Sequence, residues 1–140
     1  MKTYSFAEVY VGLSESFQRT VTESDMELFE KLSGDFNPMH TDESFAIKRG
    51  YRGRVVYGML ASSFYSALVG MYLPGKDCLL NQYEIAYRSP VYIGDMLTIS
   101  GKIIDKREGT KRCKIAAEMR NQKSEVVNTA EIVVSFTHEQ

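Results

Sequence analysis

Residues 58 to 72 read Gly-Met-Leu-Ala-Ser-Ser-Phe-Tyr-Ser-Ala-Leu-Val-Gly-Met-Tyr and include no charged side chain. A stretch of this length without charge is typical of a helix that is buried on most of its sides. It ends at Leu73-Pro74-Gly75, where proline and glycine predict a helix stop. We therefore predict one buried helix, against which another layer of structure must pack.

The sequence after this helix changes to the pattern of β-strands. Four segments are strand candidates, at residues 79–88, 96–106, 112–120 and 125–136. Turn signals separate them, at Pro90, Gly94-Asp95, Gly109 and Asn121. Connections this short favour antiparallel pairing, because parallel neighbours need long crossover segments. A further strand near residues 16–21 would make five.

The fold class that follows from these two halves is α+β. One long helix lying against a curved antiparallel sheet is the simplest way to bury both apolar faces. The 140 residues contain no internal repeat, low-complexity tract or linker, so we expect a single domain over residues 1–140.

The first half of the chain is helical and irregular. Thr22 precedes an acidic first turn and an apolar stripe that ends at Gly34, which together predict a helix over residues 23–33. The sequence Thr41-Asp42-Glu43 predicts the start of a second, short helix that runs to about Lys48. Between these helices lies the sequence Gly-Asp-Phe-Asn-Pro-Met-His, at residues 34–40.

Asp35 and His40 are the residues of this segment that could carry chemistry. On a continuous helix they would point about 140° apart, but Pro38 lacks the donor that a helix interior needs, so a turn can bring them together. A carboxylate and an imidazole that share one water form a sound acid/base device near neutral pH. The alternative is that Asp35 only makes an Asx-turn and that His40 is a surface residue beside a helix start.

The composition excludes several other classes of function. The net charge is −1, and the basic residues are interleaved with acidic ones, which argues against nucleic acid or an anionic membrane as the main partner. No stretch approaches the roughly 20 apolar residues of a membrane span, and no secretory signal pattern opens the chain. Two distant cysteines, Cys78 and Cys113, and two histidines, His40 and His138, suggest neither disulfides nor a metal site. We expect a soluble, cytoplasmic protein with no metal or cofactor.

The sequence Ser-Gly-Asp-Phe-Asn-Pro-Met-His at residues 33–40, followed by Val-Tyr-Gly-Met-Leu at residues 56–60, resembles the signature of the MaoC-like, (R)-specific enoyl-CoA hydratases. The similarity continues through residues 73–75 and the Pro-Val-Tyr-Ile-Gly-Asp turn at residues 90–95, and covers about residues 8 to 136. The resemblance implies the hot-dog fold, in which a sheet wraps around a central helix. It also implies hydration of trans-2-enoyl thioesters to (R)-3-hydroxyacyl thioesters.

The resemblance also assigns roles to individual residues. Asp35 and His40 match the catalytic pair of the family, Gly58 matches the glycine at the helix start, and Ser66 matches a serine that lines the site. Three positions depart from the pattern, because Tyr57 stands where histidine is common, Ala67 where glycine is frequent, and Met39 where Leu, Ile or Val is usual. These departures bear on substrate preference more than on the chemistry.

Gly58 also has a physical role that needs no family. The first N–H groups of a helix lack intrahelical partners and carry the positive end of its dipole, so an oxyanion is favoured there. Hydration of a conjugated thioester builds negative charge on the carbonyl oxygen, which such a helix start would stabilise. The alternative is that Gly58 only lets the helix pack tightly against the sheet. For Ser66 we expect a polar contact with substrate and no covalent role.

Two other functions remain open at this point. A hot-dog acyl-thioesterase would share the fold and the oxyanion site but would not require the segment at residues 34–40. A non-catalytic domain that binds acyl thioesters would retain the pocket without needing Asp35 and His40. The expected partner is an acyl thioester of coenzyme A or of an acyl carrier protein, and the resemblance implies a homodimer or a dimer of dimers.

Overall fold

A five-stranded antiparallel sheet is the larger layer of the computed structural model, which describes residues 1–137. Its strands are β1 (Ser14–Thr20), β2 (Cys78–Tyr87), β3 (Met96–Arg107), β4 (Arg112–Arg120) and β5 (Val126–Phe136). The strand order across the sheet is β1-β3-β4-β5-β2, so β1 and β2 are the two edges. All five predicted strands are therefore confirmed, with bounds that shift by a few residues. His138 lies outside the described residues.

Four helices connect and cover the sheet: α1 (Glu23–Ser33), α2 (Pro38–Thr41), α3 (Glu43–Lys48) and α4 (Gly58–Ala67). The charge-free stretch forms α4 and then widens into a π-helical turn over Leu68–Tyr72, in which the Leu73 N–H donates to the Leu68 carbonyl at 2.8 Å. Among the described residues, no helix combines the length and apolarity that a membrane crossing requires.

The capping signals around α1 form as predicted. The Thr22 hydroxyl accepts from the Asp25 N–H at 3.1 Å, and the Asp25 carboxylate accepts from the Thr22 N–H at 2.9 Å, which makes a capping box. Gly34 ends the helix with φ 75°, a left-handed conformation that favours glycine. The chain thus leaves α1 at Gly34 and continues into the segment at residues 35–40, which contains Asp35 and His40.

The structure differs from the prediction at residues 38–42. We expected only a turn there, and a start of the second helix near Thr41, but residues 38–41 form one helical turn of their own, α2. Pro38 sits at its first position, where the missing N–H would be unpaired in any case, and Asn37 caps it by accepting from the Met39 N–H at 2.9 Å. Asp42 then caps α3 by accepting from the Phe45 N–H at 3.1 Å.

The core lies between α4 and the inner face of the sheet. The strands contribute alternating residues with almost no exposed surface, among them Leu97, Ile99, Ile103, Ile115, Met119, Ile132 and Val134. Gly101 lets the helix approach, since a Cβ there would lie 2.9 Å from Cδ2 of Leu68. The predicted α+β architecture, a curved antiparallel sheet around a buried helix, is confirmed.

Candidate active site

The turn between α1 and α2 presents Asp35 at the surface. The Asp35 N–H donates to the Ser33 hydroxyl at 3.2 Å, and Oδ1 of Asp35 accepts from the Asn37 N–H at 3.0 Å. The Asx-turn of the alternative interpretation is therefore present. It uses only Oδ1, and within residues 1–137 the second carboxylate oxygen accepts no hydrogen bond. The turn orients the carboxylate and leaves one oxygen available for a water molecule.

His40 lies on α2 with its imidazole held in one orientation. Its Nδ1 is 2.6 Å from the carbonyl oxygen of Val55, just before α4. Because a carbonyl can only accept, Nδ1 carries the proton and Nε2 has the free lone pair. The half-buried ring can therefore present a base, whereas the alternative interpretation made His40 a surface residue beside a helix start.

Tyr57 connects the two predicted catalytic residues. Its ring stacks on the His40 imidazole, with 4.1 Å between centroids and 29° between planes, and its hydroxyl donates to the Asp35 carbonyl at 2.7 Å. Tyr57 is almost completely buried, and burial raises the pKa of its hydroxyl, with the nearby Glu30 and Asp35 carboxylates acting in the same direction. Asp35 and His40 thus both contact the same buried, protonated side chain.

Gly58 begins α4 without a side-chain cap. Tyr57 is the N-cap residue, and its side chain makes no capping hydrogen bond. Among residues 1–137, the N–H groups of Gly58 and Met59 find no acceptor, whereas the next two N–H groups of the helix donate to the Tyr57 carbonyl. Two unpaired donors at the positive end of a buried helix make a suitable oxyanion site.

One cavity of about 310 Å³ joins His40 to this helix start. It is lined by His40, Gly58, Ala61, Tyr87 and Asn128, together with residues of the loop after β2. A Cβ on Gly58 would lie 2.9 Å from Cε1 of Tyr87, so the tight packing of this glycine against the sheet is confirmed as well. Asp35 does not line this cavity within a single subunit.

Ser66 lies apart from the other predicted site residues. It is exposed on α4 and lines a separate cavity of about 100 Å³ with Ser62, Ser63, Tyr65, Leu80, Tyr83 and Ile132. Ser62 and Ser63 bond back to carbonyls of the preceding turn, at 3.2 and 2.6 Å, as expected for helical serines. For Ser66 the described part of the chain provides no such bond. Any contact of Ser66 with substrate stays a prediction.

A larger concavity, of about 1080 Å³, lies over the other face of the sheet. Its lining includes Glu84, Lys102, Glu118 and Glu131, and none of the predicted site residues. The cavity of about 310 Å³ is the candidate active site, because its lining includes both His40 and the start of α4 at Gly58.

Comparison with known proteins places this geometry in a family. Residues 12–136 match the family described as MaoC like domain. The chain belongs to the MaoC-like domain family. An (R)-specific enoyl-CoA hydratase of Rhodospirillum rubrum is 34% identical over 120 residues, which cover 81% of this chain and 83% of that protein. A 3-hydroxybutyryl-CoA dehydratase of Methylorubrum extorquens is 28% identical, with 83% of this chain and 74% of that protein covered.

A solved structure has the same fold over almost the whole MaoC-like domain. The R-hydratase of Pseudomonas aeruginosa in its unliganded form superposes with a TM-score of 0.89 at 28% identity, covering 96% of this chain and 86% of that one. The predicted family and its hot-dog fold are therefore confirmed.

Two residues of this MaoC-like domain contribute to the site without having been predicted to do so. Tyr57 was noted only as a departure from the family pattern, and its two contacts show that it supports the site. Arg54 donates from Nε to the His40 carbonyl at 2.7 Å and from Nη1 to Glu23 at 2.6 Å, which ties α2 to α1. Neither role has a signal in the sequence, because each depends on partners far along the chain.

The described side chains that could bind a metal are dispersed. In the part of the chain that the structure describes, no group of three His, Cys, Asp or Glu side chains could hold a metal ion. Cys78 and Cys113 are free thiols, and burial raises the pKa of Cys113 to about 11, so it stays protonated near neutral pH. That the reaction needs no metal or cofactor stays a prediction.

Proposed function

We propose that this protein catalyses the reversible hydration of trans-2-enoyl-CoA thioesters to (R)-3-hydroxyacyl-CoA, and that Asp35 and His40 activate the water. The protein is then a hydro-lyase, as its relatives in Rhodospirillum rubrum and Methylorubrum extorquens are by name. The observation that carries the proposal is a single cavity that is lined both by His40 and by Gly58, at the start of α4.

In the proposed reaction, one part of the site stabilises the negative charge on the thioester oxygen, and another transfers the protons of the water. The thioester carbonyl oxygen accepts from the N–H groups of Gly58 and Met59, so negative charge that develops on it meets the positive end of α4. Water adds through its oxygen to C3 of the enoyl group, and one of its protons is delivered to C2. Removal of water in the reverse direction uses the same groups with their protonation states exchanged.

Asp35 and His40 divide the proton transfers of this step. His40 presents Nε2 as an acceptor because its Nδ1–H is bound to the Val55 carbonyl. Asp35 contributes the carboxylate oxygen that its own turn leaves free. Tyr57 is a positioning residue in this scheme, since it contacts both residues and no reacting atom is assigned to it.

We also propose that the protein works as a homodimer paired through the β2 edge. β2 bonds to β5 on one side only, and its other side lies at the edge of the sheet. Large apolar side chains are exposed along it and on the adjacent face of α4, namely Met59, Leu79, Leu80, Tyr83 and Tyr87. An exposed edge strand with apolar neighbours is suited to pair with a second copy. A monomeric mass at micromolar concentration would contradict this proposal.

Three further assignments belong to the same proposal. Residues 1–140 act as one MaoC-like hot-dog domain, the location is the cytoplasm, and the carrier of the acyl group is coenzyme A. An acyl carrier protein as the thioester carrier is the alternative. The two free thiols of Cys78 and Cys113 are compatible with a reducing compartment.

The decisive experiment offers crotonyl-CoA to the purified protein. We expect the absorbance of the conjugated thioester to fall as 3-hydroxybutyryl-CoA forms, with the (R) product identified by chiral chromatography. A thiol reagent added in parallel detects free coenzyme A, which only the thioesterase alternative would release. Binding of crotonyl-CoA without either reaction would favour the non-catalytic binding domain and overturn the proposal.

A further inference from the structure

The space beside α4 is divided into two cavities by polar side chains. The cavity with His40 and Gly58 measures about 310 Å³, and the neighbouring cavity with Leu80 and Tyr83 measures about 100 Å³. Tyr87 and Asn128 line the first cavity, and Ser62 and Tyr65 line the second. Across the boundary, Tyr87 is hydrogen-bonded to Ser62, and Asn128 to Tyr65. We refer to these four residues as the partition.

The partition is held in place by a hydrogen bond across each pair. The Tyr87 hydroxyl donates to Oγ of Ser62 at 3.2 Å, and Ser62 in turn donates to the Met59 carbonyl at 3.2 Å. The Tyr65 hydroxyl donates to Oδ1 of Asn128 at 2.5 Å. Each tyrosine thus has a fixed partner on the facing element.

The deeper pair is completely enclosed. Tyr65 is 3% exposed and Asn128 is 1% exposed, and the Asn128 amide also contacts Sδ of Met119 at 3.4 Å. Burial raises the pKa of Tyr65, so its hydroxyl stays a donor at any physiological pH. Separating such a pair would leave a buried polar group unpaired, which is costly. The partition therefore does not move aside easily.

The position of the partition sets the length of the first cavity. With a rise of about 1.5 Å per residue, Ser62 lies about 6 Å along the helix axis from Gly58. The proposed function places the thioester carbonyl at Gly58, so an acyl chain that extends along α4 meets the partition within a few carbon atoms. The Tyr87 ring also reaches back toward Gly58, where its Cε1 would lie 2.9 Å from an added Cβ. A four-carbon enoyl group should therefore be accommodated more readily than an eight-carbon group.

From this geometry we infer that the partition restricts the enzyme to short acyl chains, and that Tyr87 is the residue that closes the cavity. The inference rests on the proposed function, because it assumes that an enoyl thioester occupies the cavity of His40. Tyr87 is the member that can be removed without emptying the core of the subunit, since it lies on the edge strand β2. Tyr83 lies on the same proposed dimer edge, so the loss of a tyrosine from that edge is common to the Tyr87 and Tyr83 variants.

The test compares kcat/KM for crotonyl-CoA with kcat/KM for trans-2-octenoyl-CoA. The unchanged protein should favour crotonyl-CoA. Tyr87→Ala joins the two cavities and should raise the octenoyl-to-crotonyl ratio at least about tenfold, since even one methylene in a pocket changes specificity by roughly 10- to 200-fold. The ratio is the readout because a general loss of activity affects both substrates alike.

Two further variants make the result specific. Tyr83→Ala removes a tyrosine from the same strand that lines only the second cavity, so its ratio should stay within about twofold of the unchanged protein. Ser62→Ala removes the partner of Tyr87 without emptying the core, and should shift the ratio in the same direction as Tyr87→Ala but less. Circular dichroism and melting temperature establish that each variant is folded.

The outcomes separate the inference from the proposed function. If the unchanged protein hydrates both substrates equally well, or if Tyr87→Ala and Ser62→Ala leave its preference for crotonyl-CoA unaltered, the partition does not set chain length. If Tyr83→Ala raises the ratio as much as Tyr87→Ala, the effect is not that of the partition. If neither thioester is hydrated by any of the proteins, the proposed function itself is wrong and the inference is overturned with it.

Discussion

The two ends of the buried helix are built in opposite ways. At its start, the N–H groups of Gly58 and Met59 have no acceptor among residues 1–137, and a cavity lies between the helix and His40. At its far end, Leu68 and Leu73 are completely buried, and the Leu73 N–H is bonded to the Leu68 carbonyl at 2.8 Å. Unpaired donors and empty space reduce the stability of the fold but leave room and hydrogen bonds for a substrate. Close packing increases the stability and leaves no room for one. Substitutions at the start should therefore change turnover, and substitutions at the far end should change stability.

The largest effect is expected at the start, from Asp35→Asn and His40→Gln. Each change preserves size and polarity while removing a group that can exchange a proton, so each should lower turnover of crotonyl-CoA about 10²- to 10⁴-fold. The measurement is steady-state hydration, with the melting temperature as the check on folding. Because both residues are proposed to handle one water, the double variant should lose much less than the product of the single effects.

Two results would contradict this assignment. Near-normal hydration by both folded variants would remove Asp35 and His40 from the mechanism and reopen the thioesterase and binding-domain alternatives. Strictly multiplicative effects in the double variant would instead give the two residues separate roles.

At the far end, Leu68→Ala should cost about 2–5 kcal/mol of unfolding free energy, because it leaves a cavity in a core where Leu68 has no exposed surface. Turnover by the folded fraction should be unchanged. Chemical denaturation measures the first quantity and initial rates below the transition measure the second. Met71→Ala is the matched control on the same π-helical turn, since Met71 is 45% exposed and its truncation should cost less than about 0.5 kcal/mol.

The same substitution, glycine to alanine, can be made near each end of the helix, so its effects at the two ends can be compared directly. A Cβ at Gly101 would lie 2.9 Å from Cδ2 of Leu68, and a Cβ at Gly58 would lie 2.9 Å from Cε1 of Tyr87. Gly101→Ala should destabilise the fold by about 1–3 kcal/mol through overpacking and leave turnover intact. Gly58→Ala should instead lower kcat/KM about tenfold, because the new methyl group lies beside the oxyanion donors and is held against them by the Tyr87 ring.

The double variant Gly58→Ala with Tyr87→Ala distinguishes these causes. Removing the Tyr87 ring leaves room for the new methyl group, so activity toward crotonyl-CoA should recover relative to Gly58→Ala alone. A loss of stability without a loss of activity in Gly58→Ala would show that this glycine serves packing only.

The smallest effect is expected from Ser66→Ala. One neutral hydrogen bond contributes about 1 kcal/mol, so activity should fall by no more than about tenfold, well below the loss in either Asp35 or His40 variant. Ser66 lies on the exposed face of α4, away from His40 within one subunit. A loss as large as that of His40→Gln would show that Ser66 takes part in catalysis and does not only contact the substrate.

Much of the architecture could be predicted because its signals are local. The period of two in the second half, the capping box at Thr22, and the left-handed Gly34 each depend on residues a few positions apart. The single turn α2 was missed because Pro38 is compatible with both a turn and the first position of a helix, and the local sequence does not decide between them.

By itself, the sequence determined the five strands, the longer helices, the buried character of α4 and the residues whose side chains are suited to acid/base chemistry. Only the tertiary structure decided the strand order β1-β3-β4-β5-β2 and the surroundings of the site, where Val55 orients His40, Tyr57 holds Asp35, and Tyr87 closes over Gly58. The reason is physical. Periodicity and capping act between neighbours along the chain, whereas these contacts join residues that are 15 or more positions apart. Only packing of the whole core brings them together.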